Sequence, residues 1–236
     1  LVSTDGVTDG WQDVNSALMM LIDGRFPAGG HTNSAGVEAA VRIGDIRDDA
    51  TLERYLRGRL ATTGRVDAAF CAHVAALANP TDAVLGVIDS EYSARMLSPQ
   101  LRDASRRFGR QLLRAGSTVW SGPIVDAVAR SQSDAHQPVV LGAFVAAAGG
   151  TPDNAAALSF HHLAAAVTSA AIRLLGLDPM TVAAVQARVG CEVDQWMVDA
   201  ELWATSPVAE LPACGGSLTE ILAEDHGRWD ARLFVA

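Results

Sequence analysis

Residues 151–179 read "TPDNAAALSFHHLAAAVTSAAIRLLGLDP". Thr151-Pro152-Asp153-Asn154 has the character of a helix start, because proline suits a first turn whose N–H needs no partner. Phe160, Leu163, Val167, Ala170 and Leu174 then recur three and four residues apart, the spacing of one helical face. Ala164, Ala165, Ala166, Ser169 and Ala171 are small enough for neighbouring helices to approach closely. The segment is read as the central helix of a bundle. Leu177-Asp178-Pro179 breaks it, since a proline disfavours helical geometry in the residue before it.

Composition supports an all-α fold. Apolar residues make up 49% of the 236-residue chain and aromatic residues only 6%, with alanine prominent. Alanine is the best helix former and a poor strand former. The net charge of −9 argues against non-specific nucleic-acid binding, which needs a basic surface. All 18 basic residues are arginine, so P-loop, Schiff-base and kinase-type lysine chemistries are excluded. Cys71, Cys191 and Cys214 are an odd set without metal-type spacing, which points to a reducing compartment rather than a disulfide scaffold. The longest apolar stretches are interrupted by His161-His162, Arg173 and glycines, and are read as too short for a membrane span. A cytoplasmic protein is expected.

Outward from the central helix, caps and breakers predict about ten helices in one domain covering residues 1–236, with 1–12 a flexible N-terminal segment. Helices are expected near Asn15–Asp23, from Ser34 to Gly44, and from Asp49 through Ala78 with a bend at Gly64. Further ones run over Ala83–Leu97, over 99–116, over Val139–Ala148, over Met180–Ala204 and over Leu218–Asp225. In the stretch from Pro99 to Gly116, Leu101, Ala104, Phe108, Leu112 and Ala115 form a buried stripe. Arg102, Arg106, Arg110 and Arg114 line the other side, either as a solvated face paired with acids or as a docking strip. Between the first two helices, Phe26-Pro27-Ala28-Gly29-Gly30 makes a tight turn.

Residue types reveal no catalytic centre. His161 and His162 are adjacent and point about 100° apart on a helix, so they cannot grip one ion from one face. No HxxxH pattern, nucleophile elbow or dinucleotide loop occurs. The tail, residues 226–236, carries Trp229, Leu233 and Phe234 among charges, and such residues either dock on their own core or await a partner.

The stretch "LMMLIDGRFPAGGHTNSAGVEAAV" resembles the N-terminal signature of UreF-type urease accessory proteins, with Asp23, Phe26, Pro27, Gly29, Gly30, Ser34, Gly36 and Glu38 on the family's positions. The likeness continues through Ser105, Gly109, Leu112 and Leu113. It returns at His136, Pro138, Gly142, Gly149, Ala171, Arg173, Leu174 and Asp178-Pro179, and ends at His226, Arg232, Leu233 and Phe234. The details look similar to actinobacterial members. Departures fall at Ala28, Asn33, Gly227 and the run Arg173–Asp178; they bear on any nickel ligand inherited near Asn33 and on the tail's polar contacts.

The resemblance implies an all-α homodimeric scaffold without chemistry of its own. It would bridge a nickel-carrying GTPase and the D (or H) accessory protein, regulate GTP hydrolysis and help deliver nickel to apo-urease. It implies no cofactor, catalytic residue or metal ligand, and neither nucleic acid nor membrane as partner. The tail residues His226, Arg228, Arg232, Leu233 and Phe234 are expected to meet the D-type protein. Phe26, Pro27, Gly29, Gly30, His31, Ser34 and Glu38, with Arg106 and Arg110, are expected at the GTPase or dimer surface. The competing reading is a helical small-ligand- or metal-binding protein or enzyme built around His31, His161 or His162.

Overall fold

The computed structural model describes residues 16–131 and 134–234, except for the His31 side chain. The expectation for residues 1–12 and for His31 as a docking side chain therefore lies outside the described residues. Among those described there are twelve α-helices and no β-strand. They are α1 (Ser16–Ile22), α2 (Val37–Arg42), α3 (Asp49–Arg59), α4 (Arg65–Ala75), α5 (Asp82–Ala94) and α6 (Pro99–Gly116). The second half comprises α7 (Pro123–Ser131), α8 (Gln137–Ala147), α9 (Pro152–Leu175), α10 (Pro179–Trp196), α11 (Ala200–Thr205) and α12 (Ser217–His226).

Local chemistry accounts for most boundaries. Thr151 caps α9 by accepting from the Asn154 N–H at 3.2 Å while the Asn154 side chain returns to the Thr151 N–H at 3.0 Å, a reciprocal cap. Asp48 and Thr51 make the same arrangement at α3. Ser98, Thr81 and Asp178 cap α6, α5 and α10. The bend expected at Gly64 is a π-helical turn, Leu60–Gly64, joining α3 to α4. Helix α7 was not anticipated; Ser121-Gly122-Pro123 opens it, and Ile124, Val125, Ala127 and Val128 are its buried side. The stretch expected as one helix to Ala204 divides at a 3-10 turn, Met197–Asp199.

Helix α4 is the middle of the bundle and packs against α8, α9 and α11. Its Ala68, Ala69, Phe70, Cys71, Ala72 and Val74 are all fully buried. Close approach is built into this layer: a Cβ at Gly142 of α8 would lie 2.4 Å from the Cys71 carbonyl oxygen of α4. Helix α9 is long and apolar enough to cross a membrane by length and composition, contrary to the expectation that such stretches are too short. Most of it is buried against α4, α2 and α10, and it serves as the core helix predicted from its spacing.

A methyl at Gly142 has backbone on the far side and nowhere to go. Gly142→Ala should lower stability by about 2 kcal/mol or more through overpacking, read from the denaturant midpoint, with helicity retained.

Candidate functional site

The turn after α1 is assembled from its own sequence. The Asn33 side-chain oxygen accepts from the Ala35 N–H at 2.8 Å, an Asx-type turn. Ala35 and Gly36 then both take left-handed geometry, with φ of 50° and 85°. The Tyr55 hydroxyl donates to the Ala35 carbonyl at 2.9 Å, and a Cβ at Gly36 would lie 2.7 Å from that hydroxyl. Gly36 rather than Ser34 is the N-cap of α2, and it gives no side-chain cap. Ser34 is instead buried, its hydroxyl without a partner among the described residues. The result is a short helix whose first turn carries Glu38, a favourable place for a carboxylate.

Glu38 reaches the other end of the chain. Its carboxylate accepts from His226 Nε2–H at 2.9 Å, the Leu233 N–H at 2.9 Å and the Phe234 N–H at 3.1 Å. Burial opposes its ionisation, but the bonds from Leu233, His226 and Phe234 outweigh that, and its pKa falls below the ordinary glutamate value. Around this clasp the His226 and Trp229 rings meet edge to face, 4.6 Å between centroids. The Arg42 guanidinium sits 4.0 Å from the Trp229 ring centre, and that of Arg173 4.4 Å from the Phe234 ring centre. Two further carboxylates fix α12 to the start of α6. Glu220 accepts from the Ser98 N–H at 2.6 Å, and Glu224 accepts from the Ser98 hydroxyl at 2.5 Å and the Gln100 N–H at 3.2 Å.

The structure thus unites residues that the sequence reading assigned to two different surfaces: Glu38 is the anchor of the tail. The tail also divides by residue. His226 and Phe234 are buried, whereas Arg228, Arg232 and Leu233 are exposed. Two of the departures acquire local reasons. Asn33 builds the turn, and a Cβ at Gly227 would lie 2.7 Å from the Gln100 side chain. The arginine row on α6 splits as well. Arg106 turns inward, paired with buried Asp89 at 2.9 Å and donating to the Asp134 carbonyl, so it is unsuited to the docking role expected of it. Arg102 donates to the Met96 and Leu97 carbonyls. Arg110 is exposed. In the turn, Pro27 and Gly30 are exposed and the Phe26 ring packs at a tilt of 52° against Trp120 with centroids 5.6 Å apart.

A cavity of about 310 Å³ lies between the turn, α6 and α9, with Phe26, Phe108, Leu163, Arg59, Asp67 and Tyr92 in its walls. Burial pushes Asp67 up to about 6, although Tyr92 donates to it at 2.6 Å. Nε and Nη1 of buried Arg59 lack partners among the described residues. His162 also lines this cavity, with its Nε2–H donated to the Leu21 carbonyl at 2.7 Å. Among the described residues no three His, Cys, Asp or Glu side chains converge as a metal site. Sequence reasoning missed the cavity's polar wall because Arg59, Asp67 and Tyr92 come from three helices without a shared motif.

The clasp makes a signed pH prediction. Glu38 binds its proton less tightly folded than unfolded, so its contribution is full above the ordinary glutamate pKa and is lost as pH falls through the folded value. The Leu233 and Phe234 amide proton shifts should titrate together in acid and stay flat in Glu38→Gln. Glu38→Ala should cost about 2 kcal/mol, the scale of charge-assisted bonds lost from a partly buried group.

Comparison with known proteins covers most of the bundle. The UreF family model matches residues 46–190, from just before α3 into α10. A urease accessory protein UreF from Mycobacterium sp. (strain JLS) is 35% identical over 94% of this chain and 98% of its own length. The protein of the same name from Mycolicibacterium vanbaalenii is 34% identical over 94% and 98%. That from Mycobacterium tuberculosis (strain H37Rv) is 31% identical over the same shares. With alignments of this length joined to a family match over more than half of its residues, the chain belongs to the UreF family of urease accessory proteins.

Proposed function

We propose that this protein is a non-enzymatic scaffold for assembling the nickel centre of urease, holding a nickel-carrying GTPase and the D-type accessory protein on one homodimeric platform and regulating GTP hydrolysis. Nickel is the cargo of that process, and no ligand set for it is assigned to this chain. The carrying observation is the clasp: a partly buried carboxylate at the start of α2 holds the C-terminal tail by two backbone N–H groups and a histidine. That attachment presents Arg228, Arg232 and Leu233 outward, and Pro27 and Gly30 of the turn are also exposed. A held backbone with free side chains is a preorganised recognition element, which lowers the ordering cost of binding. In this proposal the tail serves the D-type partner, and the turn with Arg110 serves the GTPase. The domain is the whole chain and its setting is the cytoplasm.

The ligand-binding alternative draws on one observation, the cavity with its buried Arg59 and Asp67. Its histidines do not favour it, because His162 is bonded to the Leu21 carbonyl.

Size-exclusion chromatography with light scattering should find this chain, the D-type protein and the GTPase, with GTP and nickel, in one complex built on a dimer. If this chain elutes apart from both intact partners, the scaffold reading fails and the cavity becomes the leading site. Truncation must begin after Gly227, because His226 is buried in the clasp. Removal of 228–236 should keep the helical spectrum and lose D-protein binding. Gly30 has open space where a Cβ would be, so Gly30→Val should fold normally and weaken GTPase binding; unchanged affinity would remove the turn from that interface.

A further inference from the structure

We infer that the outer face of α6 docks an acidic face of a partner protein, with Arg107, Arg110 and Arg114 as its cations. The inference rests on the scaffold reading above and deepens it by moving the docking row away from Arg102 and Arg106. The three arginines stand at i, i+3 and i+7, along about 10 Å of helix at 1.5 Å per residue. All three are exposed, and among the described residues none pairs with a carboxylate. Scarcity of acids does not explain this, because the chain has 27 acidic residues against 18 basic ones. Several other arginines do reach carboxylates: Arg57 and Arg188 with Glu53, Arg65 with Asp199, Arg95 with Glu91, Arg106 with Asp89. Asp103, one turn before Arg107, is the acid on the same face, and it too makes no ion pair. Arg110 and Arg114 are four apart, a like-charge spacing that weakens a helix.

The row is continuous with the signature turn. Gln111 lies on the flank between Arg107 and Arg114, and a Cβ at Gly29 would fall 1.9 Å from its side-chain oxygen. Gly29 has φ of 79°, a conformation that L side chains rarely adopt. The turn therefore packs against α6 beside the arginines, and their charge calls for acidic groups opposite. A second copy of this chain is a poor occupant, because a two-fold contact centred on the strip would set the row against itself. A nucleic acid is disfavoured by the chain's net charge of −9, which repels a polyanion at long range.

The test measures affinity of wild type, R107E/R110E/R114E and R107Q/R110Q/R114Q for the GTPase and the D-type protein separately, at low and high salt. Charge reversal should weaken the complex with the GTPase at least ~10-fold and leave D-protein binding unchanged, with the glutamine variant between and the wild-type GTPase complex salt-sensitive. Melting temperatures should change little, since no ion pair is removed; if reversal unfolds the chain, the glutamine variant carries the comparison. Wild type binding neither protein would overturn the scaffold reading and this inference with it. Wild type binding, with both variants equal to it, would overturn the strip alone. Loss of self-association with partner binding intact, or an oligonucleotide retained by wild type and released by the variants, would also overturn it.

Discussion

Close backbone approach around α4 is the constraint on which the rest of the bundle depends. A chain with few aromatic residues cannot fill wide gaps between helices, so its helices must come close, and small side chains permit this. Phe70 is the one large aromatic on α4, and its ring meets that of Tyr92 at 5.1 Å. Ala68, Ala69 and Ala72 bring α8 and α9 inward around it. Tight packing also makes the interior unforgiving of volume, because its neighbours are backbone rather than adaptable side-chain ends. Where α6 and α9 diverge, that economy fails, and a cavity with a partly polar wall remains.

The second organising contact joins the ends of the described chain. Glu38 precedes Leu233 by 195 residues, and its carboxylate is shielded enough to lose water yet satisfied by three donors. Removing the donors would leave a poorly solvated charge, and removing the carboxylate would leave a buried imidazole and two N–H groups with weaker partners. The turn and the tail therefore keep their positions together. Glu220 and Glu224 act in parallel on the start of α6, where the first-turn N–H groups of a helix welcome a carboxylate. Three carboxylates, Glu220 among them buried, thus tie α2, the tail, α6 and α12 together.

The sequence alone determined what local chemistry controls. Caps at Asp48, Thr81, Ser98, Thr151 and Asp178 mark helix starts, since a short polar side chain reaches its own backbone within one turn. Alanine content and three-four spacing determined the all-α class and made α9 a core helix, while the middle position went to α4. The ordered blocks around Phe26-Pro27, Gly142 and Arg232-Leu233-Phe234 determined the family resemblance. Helix α7 escaped because nine residues with a modest apolar side give a weak periodic signal. Tertiary structure decided the rest: that Glu38 holds the tail, that Arg106 turns inward while Arg110 stays free, and that Arg59, Asp67 and Tyr92 share a cavity wall. Those outcomes depend on which helices meet and at what distance, and no spacing along the chain encodes a meeting between residues 195 positions apart.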